Sequence, residues 1–368
     1  MKYPFLDLAT VNAPYFEALT EAAQRVIRSG RYVGGEENER FESMLAQSAG
    51  VAHAVGVSNG LDALRLIFKA YVEMGRLAPG DAVIVPGNTY IASVLAVTDA
   101  GLTPVFVDAD IRTLNMDTSL LEEAWSPKVR AVLTVHLYGR LCCDDRLKDF
   151  CRRHGLLLVE DAAQAIGAEC GNNRAGSCGD AAAFSFYPTK NVGALGDAGA
   201  VLTNDVELAK RVHALANYGS DRRYHNIYKG YNCRLDPIQA AFVQVKLGDL
   251  DKENRRRRAL AAVYDSCIES DYVLKPAVDS PDGAVWHQYA VLSPCRDAFR
   301  AYLDQNGVGT DINYPTPPHK QPCYSEYSDL RLPVSERIGA EVLSLPISAC
   351  TSEDDARVIS QIINSFRP

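Results

Sequence analysis

Leu156-Leu157-Leu158-Val159-Glu160-Asp161-Ala162-Ala163-Gln164 runs from four apolar residues through two acids into a small-residue turn. A run so short and so continuously apolar reads as a strand buried on both faces, the kind found inside a parallel sheet. Working outward, six more runs of the same texture lie at 54–57, 82–85, 104–107, 131–135, 182–186 and 200–203, beside this one at 156–159. Helical stretches at 61–74, 92–100 and 146–154 separate several of them. Strand and helix in alternation predict an α/β architecture with a mostly parallel seven-stranded sheet in one large domain.

After residue 204 the texture changes. Helices are predicted over 206–216 and 236–264, and short strand signals with a helix at 296–306 predict a smaller C-terminal α/β domain. The boundary falls inside the long helix, giving a large domain at 1–245 and a small one at 246–368. That helix carries four arginines at 255–258 behind Asp249, Asp251 and Glu253. Such mixed charge reads as a solvated, salt-bridged face and not as a nucleic-acid patch.

Composition narrows the function. The formal net charge of −8 argues against general binding to a phosphate backbone, though not against an anionic small molecule held in a local pocket. The N-terminal MKYPFLDLATVNAPYF lacks a signal peptide's apolar stretch, and no segment approaches the roughly 20 apolar residues that span a bilayer. The expectation is a cytoplasmic protein with neither membrane nor nucleic-acid partner. Ten cysteines without CxxC pairing point to reduced thiols and no structural metal.

Four motifs carry chemistry. Asp161 ends a buried parallel strand, where open α/β sheets bind ligands, or it caps the helix that follows. Phe184-Ser185-Phe186-Tyr187-Pro188-Thr189-Lys190 puts a lysine just past another strand, in a turn set by Pro188. Desolvated there, an amine loses basicity and becomes a nucleophile able to form a Schiff base; the alternative is an ordinary solvated lysine. The glycines at 193, 196 and 199 precede a strand, so they are no dinucleotide fingerprint. Val55-Gly56-Val57-Ser58-Asn59-Gly60-Leu61 is a strand–turn–helix corner whose amides suit an anion. Tyr90, after the strand at 82–85, stacks on a cofactor ring or packs in the core.

Together these motifs resemble the DegT/DnrJ/EryC1/StrS family of sugar aminotransferases, fold-type I enzymes that use pyridoxal phosphate. The similarity runs from Pro4-Phe5-Leu6-Asp7-Leu8 through Ser29-Gly30-Arg31-Tyr32-Val33-Gly34-Gly35, Pro86-Gly87-Asn88-Thr89-Tyr90 and the two motifs around Asp161 and Lys190. It continues in Gly230-Tyr231-Asn232-Cys233-Arg234-Leu235-Asp236 and Tyr314-Pro315-Thr316-Pro317-Pro318-His319. The resemblance implies Lys190 as Schiff-base lysine, Asp161 at the pyridine nitrogen, Gln164 near the phenolic oxygen and Tyr90 stacked on the ring. Gly60 and Leu61 amides with the Ser185 hydroxyl would take the phosphate. Asn232 would be a phosphate ligand lent by a neighbouring subunit, which makes a homodimer with shared sites.

The resemblance also implies L-glutamate as amino donor and a nucleotide-linked keto-sugar as acceptor. Tyr187, Tyr314 and His319 are candidates for the sugar nucleotide, and His136 is either a further contact or a satisfied core histidine. Asn59-Gly60-Leu61-Asp62-Ala63-Leu64 and His136-Leu137-Tyr138-Gly139 are similar to the subgroup that aminates C-3 of a dTDP-linked 6-deoxyhexose. Members acting at C-4 tend to carry threonine or serine where Leu61 stands. Three alternatives stay open: C-4 amination, a sugar dehydratase (against which Lys190 argues, since those relatives carry histidine there) and a regulatory relative without turnover.

Overall fold

The computed structural model describes residues 1–277 and 280–368. All seven runs form strands of one sheet: β1 His53–Val57, β2 Ala82–Pro86, β3 Thr103–Val107, β4 Val129–Val135, β5 Leu157–Asp161, β6 Ala181–Ser185 and β7 Gly199–Thr203. Their spatial order is β1-β7-β6-β5-β4-β2-β3. β7 alone runs antiparallel to its neighbours β6 and β1, and the remaining pairs are parallel. The carboxyl ends of β1, β2, β4, β5 and β6 therefore open on one edge.

Both faces are covered, which is why the strand centres are apolar. On one face Val83, Val85, Leu133, Val159, Ala183 and Val201 pack with helices Gly60–Glu73, Ile91–Asp99 and Val206–Ala216. The intervening residues pack on the other face. Ile84, Val132 and Leu158 meet helix Asp145–His154, while Ala182, Phe184 and Leu202 meet Glu36–Ala49 and Pro237–Leu247. The same period of two sends the adjacent acids Glu160 and Asp161 to opposite faces.

The second core is C-terminal. Strands β8 Tyr289–Leu292 and β9 Val342–Leu345 pair antiparallel and pack with helices Leu250–Cys267, Arg296–Gln305 and Glu353–Ser365. Tyr3 joins this core, so the N-terminal segment is anchored to the C-terminal packing layer.

Two expectations need correction. The helix read over 236–264 is two, Pro237–Leu247 and Leu250–Cys267, broken at Gly248-Asp249. Glycine weakens a helix interior and aspartate favours its start, so the break has a local cause. The four arginines are not a solvated face either. Arg255 is exposed, but Arg256 donates to the carbonyls of Ala349 and Thr351, Arg258 to those of Ala284 and Asp282, and Arg257 is buried. Arg256, Arg257 and Arg258 tie the helix to backbone carbonyls of distant segments.

All ten cysteines are free thiols. Among the described residues no helix is long and apolar enough to cross a membrane.

Candidate active site

A cavity of about 700 Å³ opens over the carboxyl ends of the parallel strands, between the two cores. Its floor is the corner after β1. Asn59 caps helix Gly60–Glu73, its Oδ1 accepting the Asp62 amide and its carbonyl that of Ala63. No protein acceptor meets the Gly60 and Leu61 amides among the described residues, which leaves two donors at a helix start, where the backbone dipole favours an anion. Ser185, at the end of β6, closes the corner. A Cβ on Gly60 would stand 2.7 Å from the Ser185 Cβ, so only glycine lets the helix start approach that hydroxyl. Amides and a hydroxyl around a tight concavity suit a phosphate.

Asp161 lies on the cavity side of β5, almost wholly buried. Ser93 Oγ donates to its Oδ2 at 2.7 Å and the Ala163 amide to its Oδ1 at 3.2 Å. The Ser93 hydroxyl has one hydrogen and spends it on the carboxylate. The 2.8 Å contact between Thr89 and Ser93 therefore runs from Thr89 to Ser93. This chain of two hydroxyls aims the carboxylate into the cavity.

Lys190 enters from the turn after β6, its amide bonded to the Tyr187 carbonyl at 2.8 Å. Burial pushes its amine down to about 8, against the opposing pull of Asp161. A lysine partly neutral near pH 7 is a competent nucleophile and base. Behind it, Asn191 Nδ2 donates to the carbonyl of Val285 and to Asn254 Oδ1. The Asn191 Oδ1 is then the acceptor for His287, 3.1 Å away, which places a proton on His287 Nδ1. Burial, with the positive charges of Lys190 and Arg257, holds His287 well below its usual range, so the ring beside the lysine is neutral.

The walls are polar aromatics. Gln164 Oε1 accepts the Tyr138 amide at 2.6 Å and its Nε2 donates to the Tyr314 hydroxyl at 3.3 Å. Tyr314 packs against Tyr90 with ring centroids 5.0 Å apart. Tyr90 and Tyr187 both line the cavity and are half exposed, leaving ring faces free for a ligand.

Gly60, Leu61, Tyr90, Asp161, Gln164, Ser185, Tyr187, Lys190 and Tyr314 thus converge on one cavity. Asn232 and His319 do not, and His136 borders the cavity with its ring committed elsewhere. Asn232 is exposed on an isolated bridge to Asn217, outside the cavity of its own chain. His319 is fully buried, 3.4 Å from Glu336 and packed near Phe106, away from the cavity. His136 is a satisfied core histidine. Its Nδ1 accepts the Cys142 amide at 3.0 Å, so its Nε2 donates to Glu160 at 2.9 Å. Glu160 also accepts the amides of Gly176, Cys178 and Gly179, a buried carboxylate saturated by four donors.

Sequence reading missed Ser93, His287 and Arg257. His287 and Arg257 line the cavity from segments without a catalytic motif, while Ser93, a turn beyond Tyr90, acts from behind Asp161; Trp286-His287-Gln288, polar residues just ahead of an apolar strand, offered a signal. The set fits pyridoxal phosphate on this geometry: a concavity of donors for the phosphate, an oriented carboxylate, a lysine of lowered basicity and an open aromatic face.

The sequence profile of the DegT/DnrJ/EryC1/StrS aminotransferase family matches residues 16–364. The dTDP-3-amino-3,6-dideoxy-alpha-D-galactopyranose transaminase of Aneurinibacillus thermoaerophilus is 45% identical over 363 residues, 99% of each chain. Among solved structures, S. venezuelae DesV in complex with a ketimine intermediate superposes with a TM-score of 0.94 at 42% identity, over 99% of this chain and 98% of that one. The Bacillus subtilis protein NtdA, with bound cofactor PMP, superposes at 0.90 with 30% identity, over 99% of this chain and 86% of its own.

Proposed function

This chain belongs to the DegT/DnrJ/EryC1/StrS aminotransferase family, whose cofactor is pyridoxal phosphate, and from that premise we propose that it moves an amino group from L-glutamate to C-3 of a dTDP-linked 3-keto-6-deoxyhexose. The observation that carries the reading is the convergence of Lys190, Asp161 and the Gly60–Ser185 corner on one cavity. The preference for C-3 is supported by the A. thermoaerophilus relative and by Leu61, whose side chain supplies no hydroxyl to the corner.

When bound, the pyridoxal ring supplies an electron sink for the carbon that loses its proton. The chain's own residues do the rest. The Gly60 and Leu61 amides and the Ser185 hydroxyl would hold the cofactor's phosphate, and Asp161 would keep the pyridine nitrogen protonated. The Lys190 amine takes the proton from the donor's α-carbon. In the second half-reaction the same amine delivers a proton to the sugar carbon that receives nitrogen. Tyr90 would cover the ring and Gln164 would lie on the side of its phenolic oxygen, while Tyr187 and Tyr314 would offer the hexose an apolar face with one hydrogen bond each.

Two further parts of the reading concern assembly. The boundary between large and small domains falls near residue 245, which the helix break at Gly248-Asp249 supports. Asn232, exposed and remote from its own cavity, is a phosphate ligand for the partner's site in a homodimer. His319, buried as it is, acts on the sugar side only by supporting the loop that carries Tyr314.

The test is an assay of purified protein with pyridoxal phosphate, L-glutamate and the 3-keto sugar nucleotide, run beside Lys190→Ala. Release of 2-oxoglutarate together with an amino sugar, lost in the variant, is expected. Absence of an amino sugar from the unaltered protein would refute the proposal.

A further inference from the structure

The cavity has two basic side chains in its lining, Lys190 and Arg257. Lys190 is committed to the cofactor and to proton transfer. Arg257 has no part so far, and its setting is unusual. It is 9% exposed, yet among the described residues no carboxylate lies within 4 Å of its guanidinium. The acid one turn earlier, Glu253, is instead 4.0 Å from Arg256.

The protein satisfies one end of this guanidinium. Arg257 Nη1 donates to the carbonyls of Trp286 at 3.0 Å, His287 at 3.4 Å and Ile347 at 3.0 Å. A guanidinium carries five N–H donors, so Nη2 and Nε are left for something else. A buried cation is costly unless paired, and three carbonyl dipoles soften that cost without cancelling the charge. Burial lowers the group to about 10, which still leaves it charged near neutrality.

What pairs with it must be an anion that comes and goes through the cavity. Asp161 is tied to Ser93 and Ala163, and Asp311 accepts from the Ile312 amide and from Asn313 Nδ2. Arg257 also grips the backbone of His287, the ring whose charge state feels Lys190. That places it near the reacting centre. An α-carboxylate sits one bond from the carbon that loses its proton, whereas the diphosphate of a sugar nucleotide lies across the hexose from it. Resting on the reading of this chain as a glutamate-dependent aminotransferase, we propose that Arg257 binds the α-carboxylate of the amino donor, using the planar pair of donors left free by the backbone. The bidentate fit of guanidinium to carboxylate then fixes the donor's α-carbon against Lys190.

The test uses glutarate, a dicarboxylate with no amino group to transfer, so it needs neither the sugar nor turnover. Calorimetric titration of the cofactor-loaded protein compares the unaltered chain, Arg257→Met and Arg257→Lys, with dTDP as a second probe. We expect glutarate to bind about thirtyfold or more weakly to Arg257→Met, Arg257→Lys to recover part of the loss, and dTDP to be unaffected. Unchanged glutarate binding, or a loss confined to dTDP, overturns the proposal while leaving sugar amination intact. Should either variant fail to fold, a crystal structure of the unaltered protein with glutarate decides: a carboxylate on Arg257 supports the assignment, and one elsewhere in the cavity overturns it. Failure of sugar amination with Arg257-dependent glutarate binding would instead refute only the function proposed above.

Discussion

Ser93 shows how much a single hydroxyl can govern. It is the side chain that aims Asp161, and Thr89 stands behind it. Ser93→Ala leaves the fold intact but removes a hydrogen bond to a charged group, a class that contributes about 1.5–3 kcal/mol. Cofactor retention, followed by fluorescence titration, should weaken by about ten- to a hundredfold; an unchanged affinity would mean that Asp161 needs no such support. Lys190 sets the pH dependence. Burial lowers it to about 8, so the neutral amine that acts as base grows as pH rises through that value. The single-turnover rate with saturating glutamate should climb about tenfold between pH 7 and 9 and then level off. A flat rate across that interval would show the amine already neutral at pH 7. Asp161 and Lys190 were legible in the sequence because each follows a buried strand in a distinctive turn. Ser93, His287 and Arg257 were not: Ser93 lies just past the Tyr90 motif but meets Asp161 only across the sheet, and His287 and Arg257 come from separate segments that acquire their roles when the chain folds.

The element that the chemistry leans on most is helix Gly60–Glu73, whose start must touch Ser185. Gly60→Ala sets its Cβ 2.7 Å from the Ser185 Cβ, so one of the two must move out of the corner. The expected result is a folded protein with impaired phosphate binding, seen as cofactor lost on gel filtration; retention equal to the unaltered chain would mean the corner has slack. Strand β5 carries a different burden on its other face, where Glu160 gathers three amides and His136. Glu160→Gln replaces one acceptor oxygen with a donor aimed at other donors. A loss of stability of about 2–3 kcal/mol by denaturant titration is expected. The strands were readable because burial on both faces writes an unbroken apolar run. The long helix misled because its two halves share one helical texture, and only Gly248-Asp249 marks the break. The arginines at 255–258 misled for a related reason: charge on a helix looks solvated until the partners, here carbonyls of residues up to 95 positions away, are known.

At the scale of the whole molecule the cavity lies between two cores and is completed, on the present reading, by a second copy. Asn232 gives that reading a direct check. Lys190→Ala and Asn232→Ala should each be inactive, or nearly so, alone. Mixed, exchanged and reassociated, they should regain roughly a quarter of full activity, because half the dimers are mixed and each mixed dimer has one intact site. No regain on mixing would confine Asn232 to its own subunit. Such sharing left no trace in the sequence beyond the family resemblance, since a residue that serves another chain is merely exposed in its own.

The central claim is that nitrogen leaves glutamate and arrives at C-3 of the sugar by way of Lys190. It is tested most directly by supplying L-glutamate labelled with nitrogen-15 and locating the label in the product by NMR. We predict the label on C-3, and none in the product of Lys190→Ala. A label on C-4, or an unlabelled sugar, would contradict the account.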